Sequence, residues 1–151
     1  MLLLFLTSVV LLDQVTKYAA IKHLKDRGPY IIIKDVFQLY YVENFGAAFG
    51  ILQNRKIFFI IVSIIVIIGV LFLIFKGSYN LNNLMRISLM IFLGGAIGNL
   101  IDRIRLGYVI DFISFKLGKG YNFPVFNIAD VSIVISTLLI MAMVLMDRYE
   151  M

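Results

Sequence analysis

The chain has 151 residues, 62% of them hydrophobic, with a mean hydropathy of +0.98 and a formal net charge of +5. Soluble domains are only about 45–50% apolar, so residues 1–151 are expected to form a single membrane-embedded domain. Cysteine is absent, which excludes thiol catalysis, disulfides and thiolate-bound metals, and the lone His23 cannot build a multi-histidine metal site.

The first apolar run covers about residues 1–21 and is uncharged through Leu12, then carries Asp13 and Lys17. These two are four residues apart and can pair along one helical face, which fits a structural ion pair and a direct chemical role equally. The run lacks a basic leader and a small-residue cleavage site, so it is expected to be a retained helix and not a secretory signal. His23 follows in a polar stretch and reads as an interfacial side chain. The connection from Lys22 to Lys56 contains two stretches rich in β-branched and aromatic residues, 30–33 and 36–42, which are expected strands. After them comes Asn44-Phe45-Gly46-Ala47-Ala48-Phe49-Gly50. Its small residues allow close backbone approach, and the Asn44 amide offers donors and an acceptor. A turn leading into a short interfacial helix would read the same way.

The second apolar run, 57–75, is uncharged and flanked by Arg55, Lys56 and Lys76. The third, about 84–101, leads into a polar face in which Gly95, Asn99, Asp102 and Arg103 follow helical spacing. Gly94, Ala96 and Gly98 add small residues that permit helices to approach closely. Packing alone would explain the glycines and a snorkelling Asp102–Arg103 pair. It leaves the Asn99 amide, which needs partners at that depth, without a reason. The connection to residue 127 holds another strand-like stretch, 108–113, which includes Asp111. The fourth run, about 128–146, begins beside Asn127 and Asp130, three apart on one face. Asp130 also suits the positive end of a helix dipole.

Each run is near the ~17–25 residues that cross a bilayer as a helix, and backbone groups there must be satisfied internally. The expected fold is therefore membrane α-helical, with four transmembrane helices. Both long connections would emerge on one side and form a small β-sheet there, with a short interfacial helix. The scattered basic residues suit anionic headgroups and form no stripe for nucleic acid.

Asp111 and Asp130 stand out within this pattern. A carboxylate near hydrocarbon costs roughly 2.5 kcal/mol or more on insertion scales. Two that the chain can bring to one membrane surface suggest a proton-sharing pair. Such a pair can supply general acid–base chemistry with no metal or organic cofactor.

Taken together, Asp13-Gln14-Val15-Thr16-Lys17, Asn44-Phe45-Gly46-Ala47-Ala48-Phe49, the stretch from Gly94 to Arg103, Val109-Ile110-Asp111-Phe112 and Phe126-Asn127-Ile128-Ala129-Asp130 resemble lipoprotein signal peptidase, or signal peptidase II, in the family's order and over nearly the whole chain. The resemblance implies an aspartyl endopeptidase of the bacterial cytoplasmic membrane. Such an enzyme cleaves prolipoproteins before a diacylglyceryl-modified lipobox cysteine. It implies Asp111 and Asp130 as the catalytic dyad, with Asn44, Gly46, Asn99, Arg103 and Asn127 lining the site. Asp13 and Lys17 would be a supporting pair. The implied partners are the lipidated precursor and membrane lipids, and a monomer is expected.

Three rivals differ in class. A small proton-coupled four-helix transporter predicts essential acids near mid-membrane, whereas Asp111 and Asp130 flank apolar runs. A Ser/Lys signal peptidase would use Lys17 as base, but no serine has a setting that marks it as nucleophile. A non-enzymatic assembly factor would use the small-residue face of the third helix. Orientation is in conflict: the long connections carry most of the Lys and Arg residues, and a positive-inside count would put them in the cytoplasm. The family topology puts them outside, with both termini inside, and that orientation is the one expected.

Overall fold

The computed structural model describes residues 2–46, 53–75, 81–117 and 121–150, the side chains at 117, 121 and 122 excepted. In chain order it contains α1 (Leu2–Leu24), β1 (Tyr30–Ile33), β2 (Phe37–Asn44), α2 (Lys56–Phe75), α3 (Asn83–Arg105), β3 (Val109–Leu117), β4 (Tyr121–Asn122) and α4 (Ile128–Leu145). All four helices are long and apolar enough to cross a membrane. The four apolar runs thus become four helices, and the β-rich connections become one sheet. The short interfacial helix expected after Asn44 lies outside the described residues.

α3 is the central helix, packed against α1, α2 and α4. Its glycines make this possible. A Cβ at Gly94 would lie 2.7 Å from Val9 Cβ on α1, and one at Gly95 would lie 2.5 Å from the Ala129 carbonyl oxygen on α4. α2 is enclosed least: only Ile74 along it is buried, and its surface, apolar but for Lys56 and Ser63, faces outward. That is the expected state of a helix whose surroundings are lipid.

At one end of the bundle Leu81 and Asn82, just before α3, meet the residues that follow α4. Leu81 bridges Glu150, Asn82 N donates to the Tyr149 carbonyl at 3.0 Å, and the Asn82 side chain caps α3 through Met85 N at 2.8 Å. Leu81, Met85, Leu89 and Leu93 pack there with Leu2 and Phe5 from the start of α1.

The sheet sits on the opposite end, with strand order β1-β2-β3-β4, and the three described pairings are antiparallel. Its core is Ala20, Ile110 and Phe112, so β3 packs on the last turns of α1. The β2–β3 register pairs Val42 with Asp111 and Asn44 with Val109, and an Ile113–Phe126 bridge ties β3 to the segment before α4. Phe37 and Phe115 stack across the strands at 4.7 Å. α1 and α3 run past the limits that hydropathy suggested, to Leu24 and Arg105. The apolar runs end where contact with hydrocarbon ends, whereas the backbone ladder continues, because Asp102 is neutralised inside the protein and Arg103 and Arg105 suit the helix C-terminus.

Candidate active site

Asp130 is held by the start of α4. Asn127 is the N-cap: its Oδ1 accepts from Asp130 N at 2.9 Å, and Asp130 Oδ2 accepts from Asn127 N at 3.2 Å, a complete capping box. The dipole-favoured position read from the sequence is therefore real, and it is also the device that fixes the carboxylate. Its second oxygen, Oδ1, accepts from Asn99 Nδ2 at 2.8 Å.

Asp111 is carried by β3 and is almost fully buried. Oδ2 accepts from Asn44 Nδ2 on β2 at 2.9 Å, and Oδ1 accepts from Asn127 Nδ2 at 2.7 Å. Asn127 is thus shared: its side chain binds Asp111 while the same residue caps Asp130. Burial, reinforced by the charge of Asp130, pushes the Asp111 carboxyl up to about 7, against the opposing hydrogen bonds from Asn44 and Asn127.

Both carboxylates line one cavity of about 820 Å³, together with Asn44, Gly46, Asn99 and Arg103. Phe123, Val131 and Val134 supply apolar wall. Gly46 N donates to Asn44 Oδ1 at 3.0 Å, which fixes the Asn44 amide with its donor toward Asp111. Arg103 lies over the Phe59 ring at 4.9 Å and reaches the Gly46 carbonyl only at 3.5 Å. Asn44, Gly46, Asn99, Arg103, Asp111 and Asp130 thus meet at this cavity, with Asp13, Lys17 and Asn127 bonded to its wall from behind.

The expected Asp13–Lys17 pair is present, but it is two-thirds of a larger cluster. Lys17 Nζ lies 2.9 Å from Asp13 Oδ2 and 2.8 Å from Asp102 Oδ2, all three residues being buried. Asp102 therefore does not pair with Arg103 at the surface: it turns to the buried ammonium of Lys17, while the half-buried Arg103 guanidinium lies over Phe59. Sequence reasoning missed this role and that of Gln14, whose Nε2 donates to Asp102 Oδ1 at 3.0 Å and lies 3.2 Å from Asp13 Oδ2. The available signal was one lysine amid two carboxylates on neighbouring helices.

The cluster is connected to both cavity acids. Asp13 Oδ1 accepts from Ala129 N at 3.0 Å, one residue before Asp130, and Asp102 Oδ2 accepts from Ile110 N at 3.1 Å, one residue before Asp111. Lys17 also donates to Asn99 Oδ1 at 3.0 Å, leaving the Asn99 NH₂ group to face Asp130. Among the described residues no His, Cys, Asp and Glu group is arranged to hold a metal.

Two buried or half-buried carboxylates that open on a single cavity, with amides fixing each, can bind one proton between them and orient a water. This arrangement has relatives. The sequence model of the signal peptidase II family matches residues 5–146. The chain is 49% identical over 141 residues to the lipoprotein signal peptidase of Caldanaerobacter subterraneus, covering 93% of this chain and 92% of that one. It is 43% identical over 142 residues to that of Clostridium tetani, covering 93% and 90%. A solved bacterial membrane enzyme structure superposes with a TM-score of 0.88 at 37% identity, covering 97% of this chain and 88% of that chain.

Proposed function

The chain belongs to the signal peptidase II family, and on that premise we propose that it is an aspartic endopeptidase acting on diacylglyceryl-modified prolipoproteins. Membership makes it a multi-pass membrane peptidase of lipoprotein signal peptides. The aspartic mechanism and cleavage just before a lipidated lipobox cysteine are the finer reading. The observation that carries it is the pair of carboxylates on one cavity at the sheet end of the bundle, joined through Asn127.

In this reading Asp111 and Asp130 share one proton, since adjacent like charges cannot both ionise comfortably. The ionised member takes a proton from water as the water oxygen attacks the scissile carbonyl. The protonated member gives its proton to the carbonyl oxygen. Collapse of the tetrahedral intermediate then breaks the C–N bond, and a proton passes to the leaving amine. Asn44, Asn99 and Asn127 keep the carboxylates from rotating, and Arg103 faces the cavity as a fixed positive charge for the developing oxyanion. The apolar wall suits a signal helix and lipid chains that remain in the bilayer.

We place the enzyme in the bacterial cytoplasmic membrane with the site at its outer face. Support for this is the family topology and not the charge count. A reporter fused after Arg148 should be active only in the cytoplasm, and the reverse result would invert the orientation. The central test is cleavage of a diacylglyceryl-modified prolipoprotein beside its unlipidated form. Only the first should be turned over, and equal turnover would remove the lipid from the specificity.

A further inference from the structure

Strand β1 is apolar on both faces. Tyr30, Ile31, Ile32 and Ile33 are between 47% and 65% exposed, so neither the Tyr30 and Ile32 side nor the Ile31 and Ile33 side is covered by protein. A strand with one face in water alternates apolar and polar residues, and this one does not. β1 is also the terminal strand, paired only with β2, so its outer row of backbone groups has no strand partner among the described residues. In water such an edge is an aggregation hazard.

We propose that β1 is a membrane-docking edge, seated at the boundary between phospholipid headgroups and acyl chains. Depth follows from α1, whose 23 residues span roughly 34 Å, slightly more than the ~30 Å hydrocarbon core. Leu24 therefore lies near the interface, and β1 begins six residues later. The surface is continuous: the exposed row Leu11, Val15, Tyr18 and Ile21 on the outward side of α1 leads to the sheet end of the helix from which β1 departs. Exposed basic residues bracket the strand, Lys22 and Arg27 before it and Lys34 after it; they outnumber the exposed acids there, Asp26 and Asp35, and none of the three makes an ion pair among the described residues. Basic side chains near an anionic headgroup layer are drawn to it.

The unpaired backbone edge fixes the limit of insertion. Unsatisfied N–H and C=O groups are not tolerated in hydrocarbon, so the strand stops where headgroups and water can still reach them. Through β2 and β3 this edge is coupled to Asn44 and Asp111, and so sets the depth of the cavity in the bilayer.

The chain contains no tryptophan, so Ile32→Trp and Ile33→Trp each introduce a single reporter, one per face. Both are measured in vesicles of phosphatidylcholine and phosphatidylglycerol, against lipids brominated near the carbonyl end of the acyl chain and against aqueous iodide. Both reporters should emit at short wavelength and lose most of their emission to brominated lipid, with little loss to iodide. Strong iodide quenching of either would overturn the proposal. So would protection from both quenchers together with disulfide dimers of Ile32→Cys, which would make a second copy the partner. The measurement does not use peptidase activity and stands or falls apart from it.

Discussion

Lys17 Nζ donates to Asn99 Oδ1 at 3.0 Å, and with Asn127 Nδ2 on the same oxygen at 3.2 Å it sets which end of the Asn99 amide meets Asp130. An amide has one acceptor and one NH₂ group, so an ammonium on its oxygen leaves the donor for the carboxylate. Lys17→Met should fail twice. Two buried aspartates, Asp13 and Asp102, would lose their cation, at a cost of about 3–5 kcal/mol by analogy with broken buried pairs. Asn99 would also lose one of the two donors that orient its oxygen, keeping only Asn127 Nδ2 at 3.2 Å. Thermal unfolding in detergent should show a large drop for Lys17→Met and a smaller one for Asp102→Asn, which leaves Lys17 paired with Asp13. Equal stability of Lys17→Met and the parent would mean that the buried cluster is not held by charge.

Asn127 joins Asp111 and Asp130 into one unit, and groups that act as a unit are strongly non-additive. Asp111→Asn and Asp130→Asn should each abolish turnover of the lipidated precursor while leaving inserted protein that still binds it. The double variant should be scarcely worse than either single one. Turnover near that of the parent in either single variant would remove the dyad from the mechanism.

The raised Asp111 carboxyl has consequences of definite sign. An acid that titrates near 7 when folded and at its ordinary 3.8 when unfolded makes the native state bind more protons between those values. Stability attributable to Asp111 therefore falls as pH rises from about 4 to about 7 and is flat above that. Asp111→Asn should flatten this part of the pH–stability curve. Activity should depend on pH through the same shared proton, with an alkaline limb at neutral pH or above. An alkaline limb near pH 4 would show that the pair does not retain its proton as described.

Much of this was legible in the sequence because membrane and functional signals are locally encoded. Four apolar runs mark four helices, β-branched stretches mark the sheet, and Asn44, Asn99, Arg103, Asp111, Asn127 and Asp130 stand out as polar residues beside hydrocarbon. What could not be read was pairing between helices. Asp102 and Arg103 are adjacent in sequence, yet their side chains diverge by about 100° around α3; one meets Lys17 on α1 and the other meets Phe59 on α2. The Gln14 bridge likewise depends on the close approach of α1 and α3, which the small-residue face made plausible without fixing its register.

That close approach can be tested through three glycines in different surroundings. A Cβ at Gly98 would lie 2.5 Å from Asp13 Oδ2, and one at Gly95 would lie 2.5 Å from the Ala129 carbonyl oxygen, whereas at Gly69 nothing lies within 4 Å. Gly69→Ala removes a flexible helix residue without a clash and should be neutral or stabilising by up to about 1 kcal/mol. Gly95→Ala must push α4 away and should cost about 1–3 kcal/mol as overpacking. Gly98→Ala should be distinguished by function: the displaced carboxylate also holds Ala129 N, so turnover should fall by more than the loss of folded protein explains. Thermal unfolding and specific activity per folded molecule separate these outcomes. A Gly98→Ala variant with normal specific activity would show that the Asp13 grip on the start of α4 does not govern the site.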